Sequence, residues 1–199
     1  MLEEINYSLF SSVNKFAGYN PIFDITAELT AEYLPFLFIL LMMYYWFFKK
    51  DDTSRINLLS IGWSTLLALF INFLITIFYF HPRPFMLHMG KLLISHGPET
   101  SFPSDHATFM FSIAFAFIIH DEFRKTGIIL TILALIGGTT RVFVGAHFPF
   151  DIIGSFGVGL ISTMIIFILR DVFAPMNKRI VNFYNNVLLR LDLKYLKNK

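Results

Sequence analysis

Residues 56–80 read INLLSIGWSTLLALFINFLITIFYF, 25 consecutive positions without one formal charge. A bilayer's hydrocarbon core, about 30 Å thick, is crossed by about 20 apolar residues in a helix. The stretch therefore reads as a membrane span. Four more candidates flank it: Ala31 to Phe48, the segment from Asp105 to Ile119, Gly127 to Thr140, and Ile152 to Leu169. The two in the middle, 105–119 and 127–140, are short and cross only if polar residues at one end are drawn into the membrane. Composition agrees with spans throughout. The chain is 55% hydrophobic, has a mean hydropathy of +0.61 and carries 25 phenylalanines in 199 residues. That excludes an ordinary soluble domain. Cysteine is absent, which excludes a disulfide framework and a thiolate metal site. The expected fold is an all-α integral membrane protein, one domain over 1–199, with a bundle of five to six helices spanning 31–169.

The two ends of the chain read differently. In residues 1–24, Leu2, Ile5, Leu9, Val13 and Phe16 recur at three- and four-residue steps, the pattern of an amphipathic helix in the membrane interface. Glu3 and Glu4 stand where a cleavable signal peptide would carry basic residues, so none is expected. In residues 175–199, Ile180, Val181, Tyr184, Val187, Leu188 and Leu191 form an apolar stripe beside Lys178, Arg179, Arg190, Lys194, Lys197 and Lys199. That is a basic amphipathic tail suited to an anionic leaflet. The partner implied by the charge is a lipid bilayer, with no nucleic acid; no oligomeric state follows from the pattern.

Orientation follows from the basic residues. With five spans, 12 of the 16 lysines and arginines fall on one side: Lys49, Lys50, Arg55, Arg124, Lys125, Arg170 and the six of the tail. Lys15, Arg83, Lys91 and Arg141 fall on the other. The positive-inside rule makes the first side cytoplasmic. The N-terminus, the loop 81–103 and the connection 141–150 then face outward, in a multi-pass protein of the cytoplasmic membrane.

Chemistry-bearing residues collect at that outer face. Arg83 follows the second span, Ser104 and His106 open the third, Arg141 closes the fourth, and His147 and Asp151 open the fifth. Ionisable groups so close to hydrocarbon are expensive and mark function. Two arginines, a serine and two histidines suit a tetrahedral oxyanion. Arginine's planar fork grips phosphate bidentately, and a helix start adds unpaired N–H groups.

Arg83-Pro84, then Pro103-Ser104-Asp105-His106, then Thr140-Arg141-x5-His147-x3-Asp151 resemble the three-part signature of the type-2 phosphatidic acid phosphatase superfamily: K-x6-R-P, P-S-G-H and S-R-x5-H-x3-D. The resemblance runs directly over 76–151. The runs 72–85 and 101–106 look closest to the bacitracin-resistance branch of undecaprenyl-diphosphate phosphatases, which also carries aspartate at the signature's glycine. The resemblance implies that His147 attacks phosphorus and becomes a phosphohistidine. Asp151 would hold its ring. His106 would protonate the leaving oxygen and then activate water. Arg83, Arg141 and Ser104 would hold the phosphate oxygens. It further implies undecaprenyl diphosphate as substrate, in carrier-lipid recycling, with phosphatidic acid or phosphatidylglycerophosphate as the alternative.

The chain departs from the signature at three positions. Thr76 stands at the lysine, leaving one cation fewer, and Lys91 is the nearest candidate replacement. Asp105 stands at the glycine, pointing away or tuning His106. Thr140 keeps the hydroxyl of the signature serine. No cofactor or metal is expected, because arginines supply the positive charge and no carboxylate cluster suggests magnesium. Six histidines raise a haem or metal protein as another class, but none lies in mid-span. A lipid transporter could use the same basic pocket, yet would have little need of His147 paired with Asp151. His81, His88, His96 and His120 read as ordinary interface histidines, and Glu28 and Glu32 as interface residues of the first span.

Overall fold

The computed structural model describes residues 1–49 and 51–197, with side chains as far as residue 190. Lys50 and the tail side chains Leu191, Lys194, Lys197 and Lys199, which enter the charge and stripe patterns above, lie outside the described residues. Seven α-helices, all within the described residues, follow in chain order: α1 (Leu2–Asn14), α2 (Pro21–Phe48), α3 (Asp52–Phe78), α4 (Asp105–Ile119), α5 (Arg124–Phe143), α6 (Pro149–Ile168) and α7 (Arg170–Lys197). Among the described residues there is no strand. Single 3-10 turns lie at Pro84–Leu87 and Asp121–Phe123.

The helix α2, α3, α6, and α5 together with the turn before it, are each long and apolar enough to cross a membrane. α4 has only 15 residues, about 22 Å at 1.5 Å per residue. Its position explains its length. Residues 110–117 are all buried, and the helix packs against α3, α5 and α6. A helix walled by protein needs no lipid-facing belt. Small residues let its neighbours come close: a Cβ on Gly127 would lie 2.5 Å from the Ile118 nitrogen, and one on Gly159 would lie 2.9 Å from the Ser112 nitrogen. α2 is the opposite case. Phe36, Leu37, Ile39, Leu40, Met43 and Phe47 are exposed, a surface suited to lipid.

Several boundaries differ from the sequence expectation. The interfacial segment stops at Asn14, and α2 starts at Pro21, ten residues before Ala31. Asn20 causes this by accepting from the Ile22 and Phe23 N–H groups at 3.0 and 3.4 Å, with proline at the first helical position. The tail helix starts at Arg170, and its polar residues fasten it to α3. Asn177 Oδ1 accepts from the Trp63 indole at 2.9 Å, and its amide donates to Ser60 at 3.2 Å. Asn185 accepts from Arg55 at 3.2 Å and donates to Asp52 at 2.9 Å.

α1 also differs from a helix that merely floats. Its apolar stripe, Leu2, Ile5, Leu9 and Phe16, is exposed, while Asn6, Phe10 and Asn14 are buried. Asn14 donates to the Lys91 carbonyl at 2.9 Å and the Phe143 carbonyl at 2.7 Å, and accepts from the Lys91 N–H at 2.7 Å. Asn6 accepts from Phe150 N–H at 3.0 Å. α1 is thereby stitched to the end of the bundle where α3 and α5 finish and α4 and α6 begin.

Candidate active site

The connections at that end are built to bring side chains inward. The Ser101 N–H donates to the His81 carbonyl at 2.7 Å, and Leu93 N–H to Val144 O at 2.9 Å. The first closes the long loop between α3 and α4 on itself, and the second ties that loop to the short one between α5 and α6. Gly145 sits at φ +82° with Lys91 O directly against the place a Cβ would take, so only glycine allows this close approach without strain.

α6 begins at Pro149, which suits a first helical turn. Asp151, in that turn, accepts from the Phe148 N–H at 2.8 Å through Oδ2. The same oxygen accepts from the Ser101 hydroxyl. His147 lies just outside the helix and is 2% exposed. Its Nδ1 is 2.9 Å from the Ser101 carbonyl and 3.5 Å from Asp151 Oδ2. Both are acceptors, so Nδ1 carries the proton and Nε2 keeps the lone pair. That lone pair faces the Arg83 Nη1 at 3.1 Å. Burial pushes the His147 ring down to about 3, with Arg83 and Arg141 adding to the effect against the opposing pull of Asp151. The ring is a neutral base throughout the ordinary pH range.

Arg83 opens a 3-10 turn and is buried. Its Nη1 also donates to Ala146 O at 3.1 Å and its Nε to Glu99 O at 3.3 Å. Burial first, then the neighbouring Arg141, lowers it to about 10, which leaves it a cation. Arg141, in the last turn of α5, is 1% exposed. Its Nη1 donates to Glu32 Oε1 at 3.0 Å. Its Nε and Nη2 are buried with no partner among the described residues. Buried donors left open are rare and costly, and two on one guanidinium form a fork awaiting a bidentate anion.

Ser104 caps α4, accepting from the Ala107 N–H at 3.4 Å, and is fully buried. His106 is half-buried in the first turn. The N–H groups of that turn have no helical partner. Asp105 is turned aside: Asn72 Nδ2 donates to its Oδ1 at 2.9 Å, and Asn72 accepts in turn from Thr108 at 3.1 Å. Thr76 bonds its own helix, at the Phe73 carbonyl, 2.8 Å. Lys91 places its ammonium 5.0 Å over the Tyr19 ring, among the residues that follow α1. The geometry thus gathers Arg83, His147 and Asp151 by direct contact, with Arg141 and the α4 start close by. It does not gather Thr76 or Lys91 with them by any contact.

Three neighbours escaped the sequence. Ser101 supplies both a carbonyl to His147 and a hydroxyl to Asp151. Glu32 holds one end of Arg141; a carboxylate inside an apolar helix is the signal that could have found it. His96 is pushed down by burial first and then by the charges of Arg83 and Arg141, while its Nδ1 lies 3.3 Å from the Gly97 carbonyl.

The sequence and the fold both have known relatives. The PAP2 superfamily model matches residues 57–174. The undecaprenyl-diphosphatase BcrC of Bacillus subtilis is 33% identical over 190 residues, 96% of this chain and 97% of that protein. The putative undecaprenyl-diphosphatase YbjG of Escherichia coli is 30% identical over 82% of each. Among solved structures, Aquifex aeolicus LpxE superposes with a TM-score of 0.68 at 25% identity, over 82% of this chain and 94% of that one. A PAP2-type phosphatidylglycerolphosphate phosphatase from Bacillus subtilis superposes at 0.59, with 21% identity, over 85% and 86%.

Proposed function

The chain belongs to the PAP2 superfamily and is a membrane lipid phosphatase, and from that premise we propose that it hydrolyses undecaprenyl diphosphate to undecaprenyl phosphate and inorganic phosphate at the outer face of a bacterial cytoplasmic membrane. One observation carries the chemistry: a buried, neutral His147 whose Nδ1 proton is held by Ser101 O, leaving the Nε2 lone pair directed at a guanidinium. An arriving phosphate takes over the Arg83 N–H and the open donors of Arg141. Nε2 then attacks the terminal phosphorus. The bond to the bridging oxygen breaks, and the lipid monophosphate leaves with a proton from His106. The positive charge left on the phosphorylated His147 ring is countered by Asp151. His106, now a base, takes a proton from water as the hydroxide attacks phosphorus. The P–N bond breaks, inorganic phosphate departs, and His147 regains its lone pair.

Arginine donors fixed before the reaction need no reorganisation as charge shifts to the leaving oxygen. The substrate reading is supported by the 33% identical relative, matched over nearly its whole length. A diphosphate also leaves more readily than an alkyl ester, which suits a site with Thr76 where the signature has lysine. The outward orientation is supported by the charge bias across the spans. The decisive experiment is competition kinetics in matched detergent among undecaprenyl diphosphate, phosphatidic acid and phosphatidylglycerophosphate, with overexpression scored for bacitracin resistance. A kcat/KM for either phospholipid equal to or above that for the prenyl diphosphate, without resistance, refutes the substrate and leaves the lipid phosphatase.

A further inference from the structure

Asp151 uses its two oxygens unequally. Oδ2 serves the Phe148 N–H, the Ser101 hydroxyl and the His147 ring. Oδ1 is buried without a hydrogen-bond partner among the described residues. A carboxylate oxygen stripped of water and left bare is a standing cost. Facing it at 3.5 Å is Nδ1 of His81, also buried and also without a partner. Two orphaned atoms of complementary kind look at each other across a gap slightly too long for a hydrogen bond. Catalytic hydrogen bonds of ligand-free sites are often long and tighten in the working complex.

His81 is held in place to make this contact. Its N–H donates to Thr100 Oγ1 at 3.0 Å, and its carbonyl accepts from the Ser101 N–H at 2.7 Å. The ring stacks on Tyr79 at 6.1 Å and meets Phe148 edge-on at 5.5 Å. Ser101 and His81 are therefore bonded neighbours, and they reach the two different oxygens of one carboxylate. A cavity of about 500 Å3 borders the pair, lined by Glu3, Asn6, Tyr79, His81, Phe102 and Asp151. Neither Arg83 nor Arg141 lines it.

We propose that His81 is a positioning residue for the reaction: its Nδ1–H donates to Asp151 Oδ1 and, with Ser101 on the other oxygen, locks the carboxylate that orients His147. The proposal rests on the reading of His147 as nucleophile. It predicts an effect on turnover and not on substrate capture, because His81 touches Asp151 and no phosphate donor. Misplacing a catalytic group by about 1 Å can cost about 100-fold in rate.

The test separates the ring from the donor. His81→Phe keeps an aromatic ring against Tyr79 and Phe148 but has no N–H. His81→Asn loses the ring but sets an amide N–H where Nδ1 was. Phosphate release is followed on farnesyl diphosphate and on short-chain phosphatidic acid, with His147→Ala as the zero. The Phe variant is expected to lose about tenfold or more in kcat, with KM within about twofold, on whichever substrate the wild type turns over. The Asn variant is expected to stay within about threefold. A Phe variant as fast as wild type overturns the proposal, and so does an equal loss in both variants, which would make His81 a packing residue. Should the Phe variant not fold, His81→Leu takes its place as the variant without an N–H, and the same two outcomes decide. Substrate preference of the wild type judges the functional reading separately, since these ratios hold for either lipid.

Discussion

Arg141→Lys is the sharpest probe of the phosphate cradle. Arg141 divides its guanidinium: Nη1 goes to Glu32 at 3.0 Å, and Nε and Nη2 are buried with no partner among the described residues. Lysine keeps the charge, so Glu32 is still countered and the fold has no unpaired buried ion to expel. What it lacks is the fork. Its single ammonium cannot serve Glu32 and two phosphate oxygens together. Hydrogen bonds to charged groups contribute about 1.5–3 kcal/mol each. Losing one of the two outright and weakening the other costs about 2–4 kcal/mol, or about 30- to 1,000-fold in kcat/KM. The assay is phosphate release in detergent under pseudo-first-order conditions, beside a size-exclusion profile to show that the variant remains monodisperse. Vanadate, which mimics the five-coordinate phosphorus, should weaken by a similar factor, because the lost donors face the same oxygens. A monodisperse Arg141→Lys protein within threefold of wild type on both measures refutes the assignment of the open fork to phosphate.

Other outcomes follow from the same geometry. His147→Ala should abolish turnover while the protein stays folded, and EDTA should leave the wild-type rate intact; activity lost to EDTA and restored by magnesium would overturn the histidine mechanism. Because burial holds the His147 ring down to about 3, a 15N-histidine titration should find it neutral from pH 8 to pH 5, and protonation near 6.5 would contradict the burial. The same depression makes the unfolded ring bind a proton that the folded ring refuses, so stability should fall as pH drops from about 6.5 toward about 3. Gly145→Ala should lower the melting temperature and the activity together, as φ +82° costs an L-residue about 1–2 kcal/mol before Lys91 O is displaced; an unchanged Tm would show that the loop can yield. Topology reporters at residue 52 and at the C-terminus should score cytoplasmic and one at residue 95 external, and the reverse would put the site on the inner face.

Much of the fold was legible because lipid imposes its own rule on sequence: long uncharged runs, with charge confined to helix ends. The site was legible where chemistry and local geometry coincide. Spacing alone puts His147 and Asp151 one helical turn apart, and they stand 3.5 Å from each other. What was not legible depends on contacts that carry no spacing. Any residue type has a carbonyl, so nothing marks Ser101 as the acceptor for a ring 46 positions away. The Glu32 contact spans 109 positions and two helices. Lys91 shows the converse. Its charge and its loop suggested a stand-in for the cation missing at Thr76, but a long flexible side chain can settle elsewhere, and Tyr19 offers it a ring face. The shortness of α4 likewise has no explanation until its neighbours surround it.

Asn14 fastens two catalytic loops to a helix whose other face is greasy and bare. That makes α1 a float with a tether. Any shift of α1 is passed through that tether to Lys91 and to Phe143. Asn14 is thus a single point at which α1, the loop between α3 and α4 and the end of α5 are held together.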